Sequence, residues 1–499
     1  MADVKVLIIG GGFSGLCMAV KLLHAGISSF VLIEKYAELG GTWFLNRYPG
    51  CRCDIPSHFY SYSFDRNPHW SSMYADRSEI HQYIKDCAIR HGVLPHVRFN
   101  TVVTAAIWDA AESVWHVKME ESVADKSHDV DHPPSSVTST IKAQFVVRAV
   151  GPFHAPQYPE IKGMEKFKGP AFHSSYWDAS VDFAGKTVAV MGTGASSIQI
   201  VPSIAPIVKK LYVFQRTPAW ISPKPTNWSF SKRCRQLFAH FPLLMCLFSW
   251  FIFWMHEIII WGVLRRKWIR RVAEWVVMRN IQGAIKDPAL IEKVKPKYEM
   301  GCNRILLSND FYPALARPNV EVMTHPILEV RENALLVSDG PAGVRPLPVD
   351  AIVYATGFQL VTKLPVVGAN GLEFTQAGYS SILGITKQGF PNFFTLFGYN
   401  TGVAQTSQIL TIEAQARYVV SCIGLVGGPS RSLEPLEVSE RRHQEFLARR
   451  FPKLVWSFGG CSSFYLDKST GHNFTLWPAS TLEYIYRTWS ANRRDYHIR

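Results

Sequence analysis

What this 499-residue chain lacks narrows its class before any motif is read. Its nine cysteines are an odd number scattered from Cys17 to Cys461, with no zinc-like pairing and no disulfide framework, so a reducing compartment is expected. The close pair Cys51 and Cys53 has C-x-C spacing rather than the C-x-x-C of a dithiol redox centre, which argues against a disulfide reductase. The N-terminus shows no basic segment, leader-like apolar core or cleavage site, so an intracellular protein is expected, cytoplasmic or peripherally membrane-associated. No repeat of solenoid period is present. With charged residues at 18% and apolar ones at 47%, the composition is that of a globular chain of two or three domains rather than a disordered one. A stripe of positive charge is also missing: residues 209–299 hold 17 Lys/Arg against 5 Asp/Glu, a net +12 out of the chain's +14. No nucleic-acid partner is therefore expected, and the basic block is left to an anionic cofactor, an acidic membrane surface or a solvated helix face.

What is present begins at once. Val4 to Gly15 (VKVLIIGGGFSG) reads as a buried β-branched strand running into a glycine turn and a helix. Gly10, Gly12 and Gly15 have G-x-G-x-x-G spacing: the first permits the tight turn, the second lets backbone approach a pyrophosphate, and the third lets helix pack on strand. The helix N-terminus, with Phe13 and Ser14 in its first turn, then faces the phosphates. A helix over Leu16 to Ala25 and a strand over Phe30 to Ile33 follow, closing on Glu34-Lys35, and Glu34 stands 19 residues after Gly15, where a ribose-binding carboxylate belongs.

The next stretch, Leu39 to Asp54, crowds Gly41, Thr42, Trp43 and Tyr48 into a loop without helical or strand period, the kind that lines sites. Ser78 to Arg90 reads as a helix capped by its serine, and Val97–Ala106, Val114–Met119 and Ala143–Val150 as strands, with Glu120 to Thr140 a polar loop. A second dinucleotide unit then appears: a strand over Thr187–Met191, the turn Gly192-Thr193-Gly194-Ala195-Ser196-Ser197, a helix over Ser196–Ile204 and a strand over Lys210–Phe214. This second strand ends in Gln215-Arg216-Thr217 where the first ends in an acid. Arg216 is either a partner for the 2′-phosphate of NADP, which an acid would repel, or a surface cation at a strand end.

Residues 231–271 are the oddest piece. The core, Phe241 to Leu264, is apolar and long enough to cross a bilayer, and Arg265, Arg266, Lys267, Arg270 and Arg271 follow it. A single span would strand the flanking chain in two compartments, so the segment is either a helical insert packed within its domain or a monotopic surface dipping into an anionic membrane. Further on, Lys297–Asn319 reads as a loop and Val349–Thr356 as a buried strand ending at Gly357-Phe358.

Two dinucleotide units, one ending in an acid and one in an arginine, describe a flavin-plus-NADPH enzyme. The stretch Phe167-x-Gly169-x-x-x-His173-x-x-x-Trp177-Asp178, with Gly41-x-Trp43, Tyr48-Pro49-Gly50 and Asp54, resembles the Baeyer–Villiger monooxygenases, class B flavoprotein monooxygenases dependent on FAD and NADPH. The resemblance runs from Val4 to about Trp489. It implies that Gly10, Gly12, Phe13, Ser14, Gly15, Glu34, Lys35, Gly41, Thr42, Trp43 and Asp54 serve FAD, and that Gly192, Thr193, Gly194, Ser196, Arg216 and Thr217 serve NADPH. It implies positioning roles on the interdomain linker for His173 and Trp177, and catalysis by Arg304 oriented by Asp54. The family's chemistry is oxygen insertion beside a ketone through a C4a-peroxyflavin, giving an ester or lactone. Three positions depart from its pattern: Asn303, Gln405 and Phe464.

The expectation is an α/β chain with two Rossmann-like domains. Residues 1–160 and 346–499 form the FAD domain, 161–345 form the NADP domain, and a helical insert covers 228–300. The expected partners are O2 and a small apolar ketone, with peripheral membrane contact through 231–271 as an open alternative. No metal is expected. The rival readings are S- or N-oxygenation on the same fold and a non-catalytic, membrane-docked FAD protein.

Overall fold

The computed structural model describes residues 2–122, 136–340, 343–360, 364–404, 406–461, 463–467 and 469–499. Gln405 and most of the expected polar loop 120–140 lie outside the described residues. The first sheet is built on Val4–Ile9, which pairs in parallel with Phe30–Ile33 on one side and Ser136–Arg148 on the other. Val6 and Ile8 bury into one apolar cluster and Leu7 and Ile9 into another, the strand period of two with both faces covered. Helix Phe13–His24 follows the glycine turn and packs against helix Gln408–Val426.

The strand order in this sheet is Val366–Val367, Thr101–Asp109, Val114–Ser122, Ser136–Arg148, Val4–Ile9, Phe30–Ile33 and Val97–Arg98, with Phe393–Thr395 also paired to Ser136–Arg148. The stretch Val97–Ala106, expected as one strand, is two strands: Val97–Arg98 at one edge of the sheet and Thr101–Asp109 toward the other, between Val366–Val367 and Val114–Ser122. Asn100, at a φ of 53°, turns the chain between the two. The helix expected at Ser78 begins at Arg77, and its cap is Asp76, whose carboxylate accepts from the Glu79 N–H.

The second sheet is wholly parallel, in the order Val320–Met323, Lys210–Phe214, Thr187–Met191, Ala351–Tyr354 and Ala171–His173. Its membership corrects the expected boundary at residue 346: Ala351–Tyr354 lies between Thr187–Met191 and Ala171–His173, so the return to the first domain falls after Tyr354. A short buried parallel strand carries no local mark of which sheet it will join. An antiparallel sheet of Ile327–Arg331, Ala334–Ser338 and Val344–Pro348 covers this domain, and the sequence reading had no counterpart for it. The loop expected over Lys297–Asn319 contains the two-residue strand Leu306–Leu307 and the helical turn Phe311–Leu315. The insert consists of helices Lys232–His240, Pro242–Arg265, Lys267–Ala284 and Pro288–Val294.

One further expectation fails. Cys302 and Cys461, 159 residues apart in sequence, form a disulfide, while Cys17, Cys51, Cys53, Cys87, Cys234, Cys246 and Cys422 are free. Cysteines this far apart leave no spacing signal, because the fold alone brings them together.

Candidate active site

A cavity of about 2040 Å³ runs between the two sheets, lined by both glycine turns and by Asp54, Arg304 and Tyr465. At the first turn Gly10 has a φ of 103°, and a Cβ there would lie 2.8 Å from the Ala149 carbonyl oxygen. A Cβ on Gly15 would lie 1.8 Å from the Gly10 carbonyl oxygen, so helix and strand touch backbone to backbone. No side chain caps the helix at Gly12, which leaves its first N–H groups turned to the cavity wall formed by Gly12, Phe13 and Ser14. Glu34, 4% exposed, accepts from the Gly11 N–H at 2.6 Å and the Tyr36 N–H at 3.0 Å. Burial raises its pKa against those two donors, and the same burial lowers that of Lys35.

The second turn repeats the scheme. Gly192 has a φ of 108°, with a Cβ position 2.4 Å from the Ala355 carbonyl oxygen, and helix Ser197–Ile204 likewise starts without a side-chain cap. Thr193 Oγ1 donates to the Thr217 carbonyl at 3.4 Å. Arg216 and Thr217 are exposed at the end of Lys210–Phe214 and line the cavity, and Arg216 has no ion pair among the described residues. Two uncapped helix N-termini, each beside a glycine turn that side chains would block, fit two dinucleotides. The buried acid at one and the free cation at the other fit FAD and NADP(H) in that order.

Between the turns, Arg304 Nη2 donates to Asp54 Oδ2 at 2.5 Å. The Asp54 carboxylate raises the arginine's pKa against its burial. Burial in turn pushes Asp54 up, but Arg304 and Lys224 outweigh it and hold the carboxyl below its usual range. The pair is therefore charged, although 46% of the Arg304 side chain is solvent-accessible, because the solvent it meets is that of the cavity. Tyr465, buried beside it, is pushed up to about 12 by that burial. Asn303 and Phe464 also line the cavity, and Phe464 packs at 4.4 Å on the ring of Tyr465. Cys302, next to Asn303, is the residue bridged to Cys461, which ties the Arg304 loop to the segment carrying Phe464 and Tyr465.

The loop 39–54 reaches both domains. Gly41, at a φ of 52°, starts the helical turn Thr42–Leu45, and the Trp43 indole donates to the Tyr60 hydroxyl at 3.2 Å. Tyr48 donates to Gln199 Oε1 on the second domain's helix at 3.2 Å. Cys51 and Cys53 are buried, and burial raises both thiols, Cys51 to about 11, so neither is a thiolate at neutral pH.

His173 and Trp177 are not among the cavity-lining residues. Burial lowers His173 to about 4, so the ring is neutral. Its Nδ1 accepts from the Ser175 N–H at 3.2 Å, and its Nε2–H donates to the Gly357 carbonyl at 2.9 Å, gripping a turn that does line the cavity. Trp177 packs against Phe172 and Phe183. Sequence reasoning missed Arg148, a cation at the end of Ser136–Arg148 that lines the cavity beside the first turn and whose pKa is lowered by burial. A charged residue inside the apolar run Phe145 to Gly151 was the available signal. It also missed Lys224, Tyr60 and Gln199, whose roles rest on contacts between segments far apart in sequence.

A family model described as flavin-binding monooxygenase-like matches residues 3–446. A Baeyer-Villiger monooxygenase of Streptomyces coelicolor is 39% identical over 505 residues, covering 99% of this chain and 92% of that protein. One of Pseudomonas aeruginosa is 39% identical over 503 residues, covering 99% and 91%. Among solved structures, that of OTEMO in complex with FAD and NADP superposes with a TM-score of 0.84 at 27% identity, covering 100% of both chains.

Proposed function

We propose, from the premise that the chain belongs to the flavin-binding monooxygenase-like family, that Arg304 and Asp54 carry a Baeyer–Villiger oxidation in the cavity between its two dinucleotide turns. The protein is an FAD-dependent, NADPH-consuming monooxygenase with two Rossmann-like domains. When bound, FAD reduced by NADPH supplies activated oxygen from O2, one atom of which enters beside a ketone carbonyl to give an ester or lactone.

The observation that carries the residue assignment is the Arg304–Asp54 pair on the wall of a cavity that also holds both turns. A guanidinium keeps its proton throughout, so Arg304 offers a fixed positive charge to negative charge developing on the ketone oxygen. Asp54 fixes which way the guanidinium points, and the Cys302–Cys461 bridge anchors its loop. Gly10, Gly12 and the first turn of helix Phe13–His24 hold the FAD phosphates, with Glu34 for its ribose and Arg148 and Lys35 as nearby cations. Gly192, Gly194 and Ser196 hold those of NADPH, with Arg216 for the 2′-phosphate. His173 and Trp177 act as positioning residues, His173 through Gly357. A location inside the cell, cytoplasmic or peripherally membrane-associated through 231–271, is part of the same reading.

The test is a ketone panel with the FAD-loaded protein, following NADPH consumed and ester formed. Arg304→Ala is expected to keep oxidising NADPH while ester formation falls about 10²–10³-fold, the loss typical of one charge-stabilising donor. Normal ester yield from that variant removes the assignment. Sulfoxide from a thioether with no ester from any ketone replaces it with heteroatom oxygenation.

A further inference from the structure

The insert exposes an apolar surface that the oxidation does not use. Helix Pro242–Arg265 is 24 residues long, so it could span a bilayer, but it lies along the protein instead. Ser249 donates to the His58 carbonyl at 2.7 Å, and Glu257 accepts from the Thr481 N–H at 3.0 Å. Its own Met245, Ile252, Phe253, Val263 and Leu264 are buried against the protein. The opposite face is bare: Leu243 is 72% exposed, Phe251 64% and Ile258 66%, with Leu247, Trp250 and Trp254 between them. Helix Lys267–Ala284 extends the patch with Trp268, Val272 and Trp275. Contiguous exposed apolar surface on this scale marks an interaction site.

Its charge selects the occupant. Lys232, Arg233, Arg265, Arg266, Lys267, Arg271 and Arg279 are all exposed around the patch. The only acids in 231–279 are Glu257, which is buried, and Glu274, which accepts from the Met300 N–H. A second copy of the chain in a two-fold dimer would bring these cations against themselves. An anionic bilayer meets them with opposite charge, accepts the apolar face and seats tryptophans at its interface.

The same helix is also a wall of the cavity. His256, Ile260 and Leu264 line it, while Ile258 and Ile259 point outward within the same turn. The lipid-facing surface and the site are thus about one helix diameter, roughly 10 Å, apart. We propose that Lys232–His240, Pro242–Arg265 and Lys267–Ala284 dock the protein monotopically on an anionic lipid bilayer. We propose further that the ketone is an apolar one taken up from that bilayer, a step that rests on reading the cavity as a ketone site.

Vesicle flotation of the FAD-loaded protein decides the first half. Binding to phosphatidylcholine vesicles containing phosphatidylglycerol should exceed binding to phosphatidylcholine alone by about tenfold and should weaken with salt. A triple Leu243→Asn, Leu247→Asn, Phe251→Asn variant, altered only at exposed positions, should lose that binding, as should Arg266→Glu with Lys267→Glu and Arg271→Glu. No flotation of the unaltered protein overturns docking, and so does a stable dimer that the triple variant dissolves. Turnover decides the second half. A short water-soluble ketone should be oxidised equally by the unaltered and triple-variant proteins, whereas a long-chain ketone dissolved in the vesicles should be turned over about tenfold more slowly by the variant. Equal rates on the vesicle-dissolved ketone overturn uptake from the bilayer. A protein that floats but oxidises no ketone overturns uptake together with the ketone reading and leaves docking standing.

Discussion

The two glycine turns share one scaffold, and the differences that shape their sites include the third glycine of the spacing and the end of the second strand. In the first unit the third position is Gly15, whose missing Cβ would sit 1.8 Å from the Gly10 carbonyl oxygen. In the second it is Ser197, whose side chain is fully buried. The first unit closes on Glu34, buried at the cavity wall and held by two backbone N–H groups; the second closes on Arg216, open to solvent and without an ion pair among the described residues. The first site is fixed by packing, and the second is defined mainly by charge. One fold thus makes two seats, one closed by backbone packing and one left open to solvent.

The sharpest way to break this contrast is to put the same methyl group into both turns. Gly15→Ala forces the first helix off its strand and should cost about 4 kcal/mol or more, read as loss of soluble, flavin-retaining protein. Gly194→Ala, where a Cβ would meet nothing within 4 Å, should leave flavin content and melting temperature unchanged. If Gly194→Ala also sheds flavin, the two turns are not independent.

The next test addresses the ends of the strands. Arg216→Ala removes a charge-assisted contact of about 1.5–3 kcal/mol, so KM for NADPH should rise roughly 10–100-fold while KM for NADH and kcat stay near their original values. Equal rises for both nucleotides would make Arg216 a structural cation and take the charge distinction out of the comparison.

How far this contrast could be read without coordinates depends on distance along the chain. Strand Phe30–Ile33, the glycine positions and Glu34 are local features, and the fold reproduces them. The sheet assignments of Ala351–Tyr354, Val366–Val367 and Phe393–Thr395 depend on pairings hundreds of residues away, and short apolar strands look alike. Asp54 and Arg304, 250 positions apart, could be matched only through family resemblance, because no spacing rule links them. The Asp76 cap was misread as Ser78 because both residue types cap helices and stand two positions apart. For residues 231–271 the sequence left a packed helix and a monotopic surface as alternatives, and in the fold helix Pro242–Arg265 packs one face and leaves the other exposed.

The smallest expected effect concerns the place where the two units meet. Cys302–Cys461 joins the Arg304 loop, which leads out of the helical insert, to the segment carrying Tyr465 beside it. Such a bridge is unusual in a reducing compartment. Its removal in a Cys302→Ser, Cys461→Ser protein touches neither glycine turn. FAD retention should therefore be unchanged, and the melting temperature should fall by only about 1 °C, as for a loss near 1 kcal/mol in a chain of 499 residues. The loosened arginine loop should raise the share of NADPH oxidised without ester about two- to threefold, and reduction of the unaltered protein with dithiothreitol should do the same, since a shift of that size is well under 1 kcal/mol. If the serine protein sheds FAD as well, the bridge supports the packed first seat, and the division between a seat fixed by packing and a seat defined by charge is too simple.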